Sequence, residues 1–246
     1  MSTLQHTAAP AVPERAAWAG GQVLLLAALD GAIGLGGAGW LAGLAYGLAT
    51  WVLLGAAMAR AGVRAPGPAD RVTLARGLLV GAVTALVADQ TATPAVVVGL
   101  AAVALVGDFV DGRVARRTGT ASALGARFDM EVDAFLILVL SVHAALVFGP
   151  WALAIGAMRY LFVAASWVAP WLRGELPPSF ARKTVAALQG VLLVVAAAGV
   201  TAFAWALVAL ALAALVWSFG RDVRWLWRNR VRAVVGAAPV KGSARV

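Results

Sequence analysis

Eight residues between positions 108 and 133 combine acidic, basic and small side chains in a spacing that suits metal chemistry. Their pattern is D-x2-D-G-x2-A-R-x8-G-x3-D-x3-D, formed by Asp108, Asp111, Gly112, Ala115, Arg116, Gly125, Asp129 and Asp133. Residues three or four apart project from one face of a helix, so each pair of aspartates would point the same way. Two helices meeting at their ends would bring the four carboxylates together. Such a cluster repels itself unless it is protonated or holds cations, and hard oxygen ligands favour Mg²⁺ or Mn²⁺.

The elements that position this cluster are apolar, and the whole chain has the composition of an integral membrane protein. Of its 246 residues, 62% are hydrophobic, and the mean hydropathy is +0.88. Several stretches reach the roughly 20 residues that cross a bilayer as a helix. They are rich in Ala, Gly, Leu and Val and lack strand-type alternation. The sequence therefore predicts an all-α, polytopic membrane helical bundle. The chain has no cysteine, which excludes disulfides and thiolate chemistry.

Eight apolar segments are predicted as helices. They cover about 20–35, 39–59, 72–89, 94–116, 126–147, 151–171, 184–199 and 201–219. The first segment is short and Gly-rich and contains Asp30, so a re-entrant or interfacial position is an alternative to a full span. The seventh and eighth segments meet at Gly199 with almost no loop. Six and eight spans both remain open, because removing the first two segments as a hairpin leaves the charge pattern unchanged.

The distribution of basic residues predicts the orientation. The net charge is +9, and with the N-terminus in the cytoplasm the basic clusters fall on the inside, while the outside turns hold only Asp89. This agreement with the positive-inside rule predicts that the acidic motif lies at the cytoplasmic face. The charge does not indicate a nucleic-acid partner, because there is no polar domain to present a groove-sized basic face.

The acidic motif resembles the signature of the CDP-alcohol phosphatidyltransferases, and every defining position is occupied. Residues 70–76 also resemble the short stretch before the first core helix of that family, where Asp70 replaces the usual Asn. The resemblance covers about residues 69–219 and implies a six-helix family core, which leaves an extra N-terminal helix pair. The predicted organisation is an N-terminal tail at 1–19, an additional hydrophobic hairpin at 20–62, the transmembrane core at 63–219 and a basic cytoplasmic tail at 220–246.

The resemblance implies a reaction and a metal site. Members of the family move a phosphoalcohol from a CDP-linked donor to an acceptor hydroxyl and release CMP. By the family pattern, Asp108, Asp111, Asp129 and Asp133 would bind Mg²⁺ or Mn²⁺, with two ions expected. Asp133 would also be the catalytic general base on the acceptor hydroxyl. Two divalent ions could bridge the donor diphosphate and stabilise the leaving CMP.

Further residues are predicted to contact the substrates. Small side chains at Gly112 and Ala115 would let the cytidine approach closely, and Arg116 would bind phosphate or the cytosine edge. Gly125 would let the second helix start close to the first. Helix packing through small residues is a second interpretation of both small positions, and both roles can hold at once. For Arg116 the second interpretation is a cytoplasmic anchor.

The remaining predicted substrate contacts are Thr73 and Arg76 for the donor, and Arg159, Arg182 and Lys183 for a substrate phosphate or the acceptor. Arg159 lies near the middle of a predicted span and needs a partner in the bundle, which could equally be a carboxylate. Arg182 and Lys183 resemble a basic pair that many family members place near the acceptor site. A purely topological role is as well supported for that pair.

The leading functional prediction is transfer of a phosphatidyl group from CDP-diacylglycerol to a small polar alcohol, with glycerol 3-phosphate and inositol phosphate as candidates. One alternative is headgroup transfer from another, soluble CDP-alcohol to a lipid hydroxyl. Another is a non-enzymatic transporter, which is disfavoured because the four acids lie at one membrane face. Membrane lipids are expected partners. Homodimers are common in the family, although no residue here specifies an interface.

One further pattern, G-x-G-x-x-G at positions 34–39, matches a dinucleotide-binding fingerprint. No strand precedes it, and no acidic residue lies where a ribose contact belongs. The sequence therefore predicts a turn between two membrane helices at this point.

Overall fold

The computed structural model describes residues 12–63, 67–90, 93–118 and 122–236, and these residues form eight α-helices without a strand. The helices are α1 (Val12–Ile33), α2 (Gly37–Ala61), α3 (Pro68–Asp89), α4 (Pro94–Thr118), α5 (Ala123–Phe148), α6 (Leu153–Val168), α7 (Phe180–Ala197) and α8 (Ala204–Gly236). Seven of them are long and apolar enough to cross a membrane, and α4 contributes a shorter apolar stretch, Pro94–Asp108. The prediction of an all-α membrane bundle with an extra N-terminal helix pair is confirmed.

The boundaries differ from the predicted ones mainly at the two ends of the chain. Helix α1 has 22 residues and begins at Val12, earlier than the apolar segment that marks it. Gly199, at φ +63°, lies in the turn that separates α7 from α8, so the seventh and eighth segments are two helices. Helix α8 has 33 residues, which gives a length of about 50 Å at 1.5 Å per residue. It therefore continues without a break from the core into the predicted basic tail.

Helix α3 is the most buried of the spans and lies at the centre of the bundle. It packs against α1, α2, α4 and α5. Val80, Val83 and Leu86 are completely or almost completely buried along it. Lipid tails are as apolar as these side chains, so close van der Waals packing rather than hydrophobicity must hold such helices together. This central position makes α3 the element against which the site residues of α4 and α5 are fixed.

The added pair α1 and α2 is joined to α3 by close contacts and by buried polar groups. On α2, Gly43 faces α3 so closely that a Cβ there would lie 3.2 Å from the Cβ of Ala85. The indole Nε1 of Trp18 donates to the carbonyl of Leu74 at 2.7 Å. These contacts place α1 and α2 on α3, while α4 and α5 pack against other parts of the same helix.

The glycine-rich turn between α1 and α2 is closed by a carboxylate. The backbone N–H groups of Gly36 and Gly39 donate to Asp89 at 3.0 and 3.3 Å, and Asp89 lies at the end of α3. The first amides of a helix lack intrahelical partners, so this carboxylate satisfies the start of α2. Asp30 accepts a hydrogen bond from Trp40 Nε1 at 3.3 Å. The G-x-G-x-x-G pattern is thus a membrane turn, as predicted.

The closest approach between α5 and α6 occurs at Gly156, and it yields a stability prediction. A Cβ at this position would lie 2.5 Å from the Cα of Leu138 and 3.0 Å from Ser141 Oγ. We expect Gly156→Ala to force the helices apart and to lower stability by about 1–3 kcal/mol, as overpacking usually does. The measurement is the midpoint of thermal unfolding in detergent.

The matched control is Gly99→Ala on α4, where an added Cβ meets nothing within 4 Å. This change should leave the midpoint unchanged or raise it slightly, because alanine favours a helix over glycine by about 0.5–1 kcal/mol. Equal midpoints for the two variants would contradict the close packing of α5 on α6.

Candidate active site

Three of the four predicted aspartates meet where α4 and α5 approach α3. Asp108 lies on α4, and Asp129 and Asp133 lie one turn apart on α5. One carboxylate oxygen from each residue falls within 4.8 Å of the others, and all three residues are half-buried. This is the geometry that the i,i+4 spacing and the meeting of two helices predict. Three hard oxygen donors so close together fit a divalent cation such as Mg²⁺ or Mn²⁺.

A guanidinium from α3 lies among these carboxylates. Arg76 Nη1 is 2.7 Å from Asp129 Oδ1 and 3.4 Å from Asp108 Oδ1, and Arg76 Nη2 contacts Asp133 Oδ1. The Arg76 side chain is only 3% exposed, whereas those of the three aspartates are 30–42% exposed. The positive charge offsets the mutual repulsion of the carboxylates. The sequence predicts Arg76 as a donor contact, and its contacts in the structure are with the acidic cluster.

Glycine at position 107 makes room for the Arg76 side chain. A Cβ at Gly107 would lie 2.7 Å from both Cγ and Cδ of Arg76. Thr73, predicted to contact the donor, is buried one turn earlier on α3. Gly107 was not among the predicted site residues. The sequence does contain an indication of its role, namely a glycine directly before Asp108 within a predicted helix. Glycine lowers helix stability, so a glycine at such a position usually allows a close contact.

Gly125 lies where the starts of α3 and α5 touch. Its N–H donates to Ser122 Oγ at 2.8 Å, which caps α5. Asp70 accepts a hydrogen bond from the N–H of Gly67 at 2.8 Å and so caps α3. A Cβ at Gly125 would collide with the Asp70 carboxylate. The missing side chain therefore lets α5 start close to α3, and the Asp that replaces the usual Asn serves as a helix cap.

Two of the three basic residues predicted to bind a phosphate or the acceptor have carboxylate partners away from the cluster. Arg159 on α6 donates to Glu131. Arg182 Nη1 donates to Asp222 Oδ2 at 3.3 Å, and Arg182 Nη2 donates to the carbonyl of Pro177 at 3.0 Å. Lys183 is exposed at the start of α7. Arg76 therefore lies within the acidic cluster, whereas Arg159 and Arg182 form ion pairs with carboxylates outside it.

Four residues of the predicted site fall within α4, but their side chains lie outside the described residues. They are Asp111, Gly112, Ala115 and Arg116. Their predicted roles remain predictions. The geometry of the site therefore rests on Asp108, Asp129, Asp133 and Arg76.

The comparison with protein families identifies the family to which the chain belongs. The model of the CDP-alcohol phosphatidyltransferase family matches residues 68–217. The chain belongs to this family. No curated protein and no solved structure matches it.

In this CDP-alcohol phosphatidyltransferase the family region begins at the first residue of α3 and ends within α8. Membership implies a transferase that moves a substituted phosphate group from a CDP-alcohol. The seven apolar helices indicate an integral membrane protein. Helices α1 and α2 and the last part of α8 lie outside the family match. The resemblance to this family, which the sequence analysis based on the acidic motif, is confirmed.

Proposed function

We propose that the protein transfers a phosphatidyl group from CDP-diacylglycerol to the hydroxyl of a small polar alcohol in a metal-dependent reaction that releases CMP. The observation that carries this proposal is the cluster of Asp108, Asp129 and Asp133, whose oxygens lie within 4.8 Å of one another. Membership of the family supports the reaction type. Phospholipid biosynthesis is the process that such a reaction serves.

The donor set supports a divalent cation as cofactor. Carboxylate oxygens are the ligands that Mg²⁺ and Mn²⁺ prefer, and three carboxylates with one arginine leave a surplus of negative charge for a cation. Asp108, Asp111 and Asp129 would hold the ions, with Asp133 as a further ligand. Bound cations would neutralise the donor diphosphate and stabilise the departing CMP.

Asp133 is the residue proposed to act as general base on the acceptor hydroxyl. Its carboxylate would accept the hydroxyl proton while the acceptor oxygen forms a bond to the β-phosphorus of the donor, and the bond from that phosphorus to the CMP oxygen breaks. Arg76, already in contact with the Asp133 carboxylate, would hold this group in position. Arg116 would contact the nucleotide or its phosphates, with Gly112 and Ala115 leaving space for the cytidine.

The proposed acceptor is a small polar alcohol, which can be phosphorylated or uncharged. A phosphorylated acceptor such as glycerol 3-phosphate or inositol phosphate needs several positive groups. Arg159 and Arg182, the residues expected to supply them, are paired with Glu131 and Asp222. A phosphorylated acceptor would compete with these carboxylates for the two arginines, whereas the exposed Lys183 has no such partner to lose among the described residues.

The proposed organisation follows the charge pattern. The catalytic core would comprise residues 63–219, with its acidic site at the cytoplasmic face, and the hairpin at 20–62 would be an addition to it. The basic clusters near Arg60, Arg127 and Arg182 lie at helix ends, which supports this orientation. The tail from 220 would anchor α8 at the interface through its arginines and tryptophans, as in the contact of the Arg230 guanidinium with the Trp227 ring.

The test is CMP release by the purified full-length protein in detergent with CDP-diacylglycerol and Mg²⁺ or Mn²⁺. The acceptor panel contains glycerol 3-phosphate, inositol phosphate, inositol and serine. We expect release with one acceptor and none in EDTA. Release only from a soluble CDP-alcohol with a diacylglycerol acceptor would reverse the roles of lipid and headgroup. A folded protein that binds neither CDP nor Mn²⁺ would refute the proposal.

A further inference from the structure

A large groove lies between the added helix α2 and helix α5. Its volume is about 980 Å³, at the upper end of the roughly 300–1,000 Å³ typical of small-molecule sites. Alanines such as Ala45 and Ala49 form its α2 wall, and Phe128 and Phe135 contribute from α5. Helix α2 lies outside the family match, so one wall of this groove is formed by residues that the family model does not cover.

The groove is on the opposite side of α5 from the acidic cluster. Arg127, Glu131 and Phe135 line it and are spaced four residues apart, so they share one face of the helix. Asp129 and Glu131 are two residues apart, which places them about 200° apart around a helix of 3.6 residues per turn. A molecule in the groove is therefore separated from the carboxylates by the α5 backbone and occupies a different site.

The groove is long enough to hold an acyl chain that extends through one leaflet of a bilayer, and its α2 wall runs further, from Ala42 to Ala61, over about 28 Å. Along α5 it runs from Leu124 to Phe135, which corresponds to about 16 Å of helix. Half of the roughly 30 Å hydrocarbon core is about 15 Å. Both walls belong to helices that are apolar enough to cross the membrane. The groove can therefore hold acyl chain along most of the depth of one leaflet.

Two arginines lie together at one end of the groove. Arg60 is in the last turn of α2, Arg127 is the fifth residue of α5, and both line the cavity. The same helix ends meet at a small pocket that Met58, Asp70 and Leu124 line, so the two arginines are at the same membrane face. Neither arginine forms an ion pair with another described residue.

The acidic side chains beside the groove have partners of their own. Asp70, in the adjoining small pocket, accepts a hydrogen bond from the N–H of Gly67. Glu131 is the one acidic residue among the described lining residues, and it is paired with Arg159. The mouth is consequently positive and the walls are apolar, so the groove is complementary to a molecule with a negative head and a long apolar tail. Guanidinium groups also bind phosphate through paired hydrogen bonds.

We propose that the α2–α5 groove is a binding site for one anionic glycerophospholipid. The acyl chain lies against the alanines of α2 and the phenylalanines of α5, and the headgroup phosphate is held by Arg60 and Arg127. The lipid bridges the added helix pair and the family core. This site is separate from the proposed transferase reaction, so its test needs no turnover.

The test is native mass spectrometry of the delipidated full-length protein, titrated with phosphatidylglycerol or phosphatidylcholine. We expect one retained phosphatidylglycerol and weaker retention of phosphatidylcholine. The double variant Arg60→Gln/Arg127→Gln should weaken phosphatidylglycerol binding about tenfold or more and abolish the preference. Arg173→Gln, which removes an exposed arginine that neither lines the groove nor belongs to the tail from 220, should bind as the wild type does.

A second pair of variants tests the part of the groove that would hold the acyl chain, without changing a charge. Ala49→Trp fills the groove and should lower the retention of both lipids, while Leu48→Trp, on an exposed neighbouring residue outside the groove, should not. Equal retention of both lipids by the wild type would overturn the proposal, as would phosphatidylglycerol binding that survives loss of both arginines. A dimer without bound lipid that Ala49→Trp dissociates would assign the groove to a second copy of the chain and refute a lipid site.

Discussion

Asp133→Asn should lower the rate of CMP release by about 10²- to 10⁴-fold, the usual contribution of a general base. The amide keeps the size of the carboxylate but cannot accept the proton of an acceptor hydroxyl. The variant should still fold, because the amide oxygen can accept the hydrogen bond that Arg76 donates to this position. The measurement is the initial rate of CMP release at saturating CDP-diacylglycerol, with size exclusion and thermal unfolding to confirm the fold.

The matched control is Glu131→Gln, two residues away on the same helix and on its opposite face. It removes the same charge but breaks only the ion pair with Arg159. Because Arg159 lies within an apolar span, loss of its partner is expected to lower stability, so the rate is measured on protein whose fold is confirmed as for Asp133→Asn. We expect a rate within about threefold of the wild type. If Asp133→Asn and Glu131→Gln lose activity equally, the base does not reside on the face that carries Asp129 and Asp133.

Arg76→Gln should make the protein depend on metal for stability. Breaking a buried ion pair can cost about 3–5 kcal/mol, and partial exposure of the three carboxylates reduces this to about 1–3 kcal/mol. The unfolding midpoint in EDTA should therefore fall. Added Mg²⁺ or Mn²⁺ should recover most of the loss, because a divalent cation would then offset the repulsion that Arg76 offsets in the wild type.

The same variant should bind Mn²⁺ more tightly, by about tenfold or more, because a positive charge 2.7 Å from Asp129 opposes a second cation. Isothermal titration with Mn²⁺ measures this directly. Arg224→Gln removes an equal charge from an exposed position on α8 and should leave both the midpoint and the affinity unchanged. Weaker Mn²⁺ binding in Arg76→Gln would mean that the arginine organises the carboxylates for the metal instead of competing with it.

The parts of the site that follow from short spacing were predictable. Helical periodicity places Asp129 and Asp133 on one face, and the adjacent helix ends bring Asp108 to them. The apolar runs likewise predict the helices, since a backbone in lipid must satisfy its own hydrogen bonds. These properties depend on residues within one helix or on two helices adjacent in sequence, so the sequence indicates them directly.

Contacts between distant segments were not predictable. Arg76 precedes Asp108 by 32 residues, and nothing in the sequence specifies how α3 is rotated against α4 and α5. The pairing of Arg182 with Asp222 across 40 residues depends in the same way on helix packing. The α2–α5 groove depends on how far apart the two helices lie, and the small alanine side chains of α2 leave the space between them unfilled. Charge patterns indicate that a buried arginine needs a partner but do not choose one.

The carboxylate of Asp89 has a consequence for biogenesis. Helix α2 receives the partner of its first amides from the end of α3, and Trp18 of α1 donates to a carbonyl of α3. In a nascent chain that has inserted only its first hairpin, these amides and the Trp18 indole therefore lack their α3 partners. They become satisfied when residue 89 emerges. The first three helices, rather than the first two, are thus the smallest unit that can leave the insertion machinery with these polar groups paired.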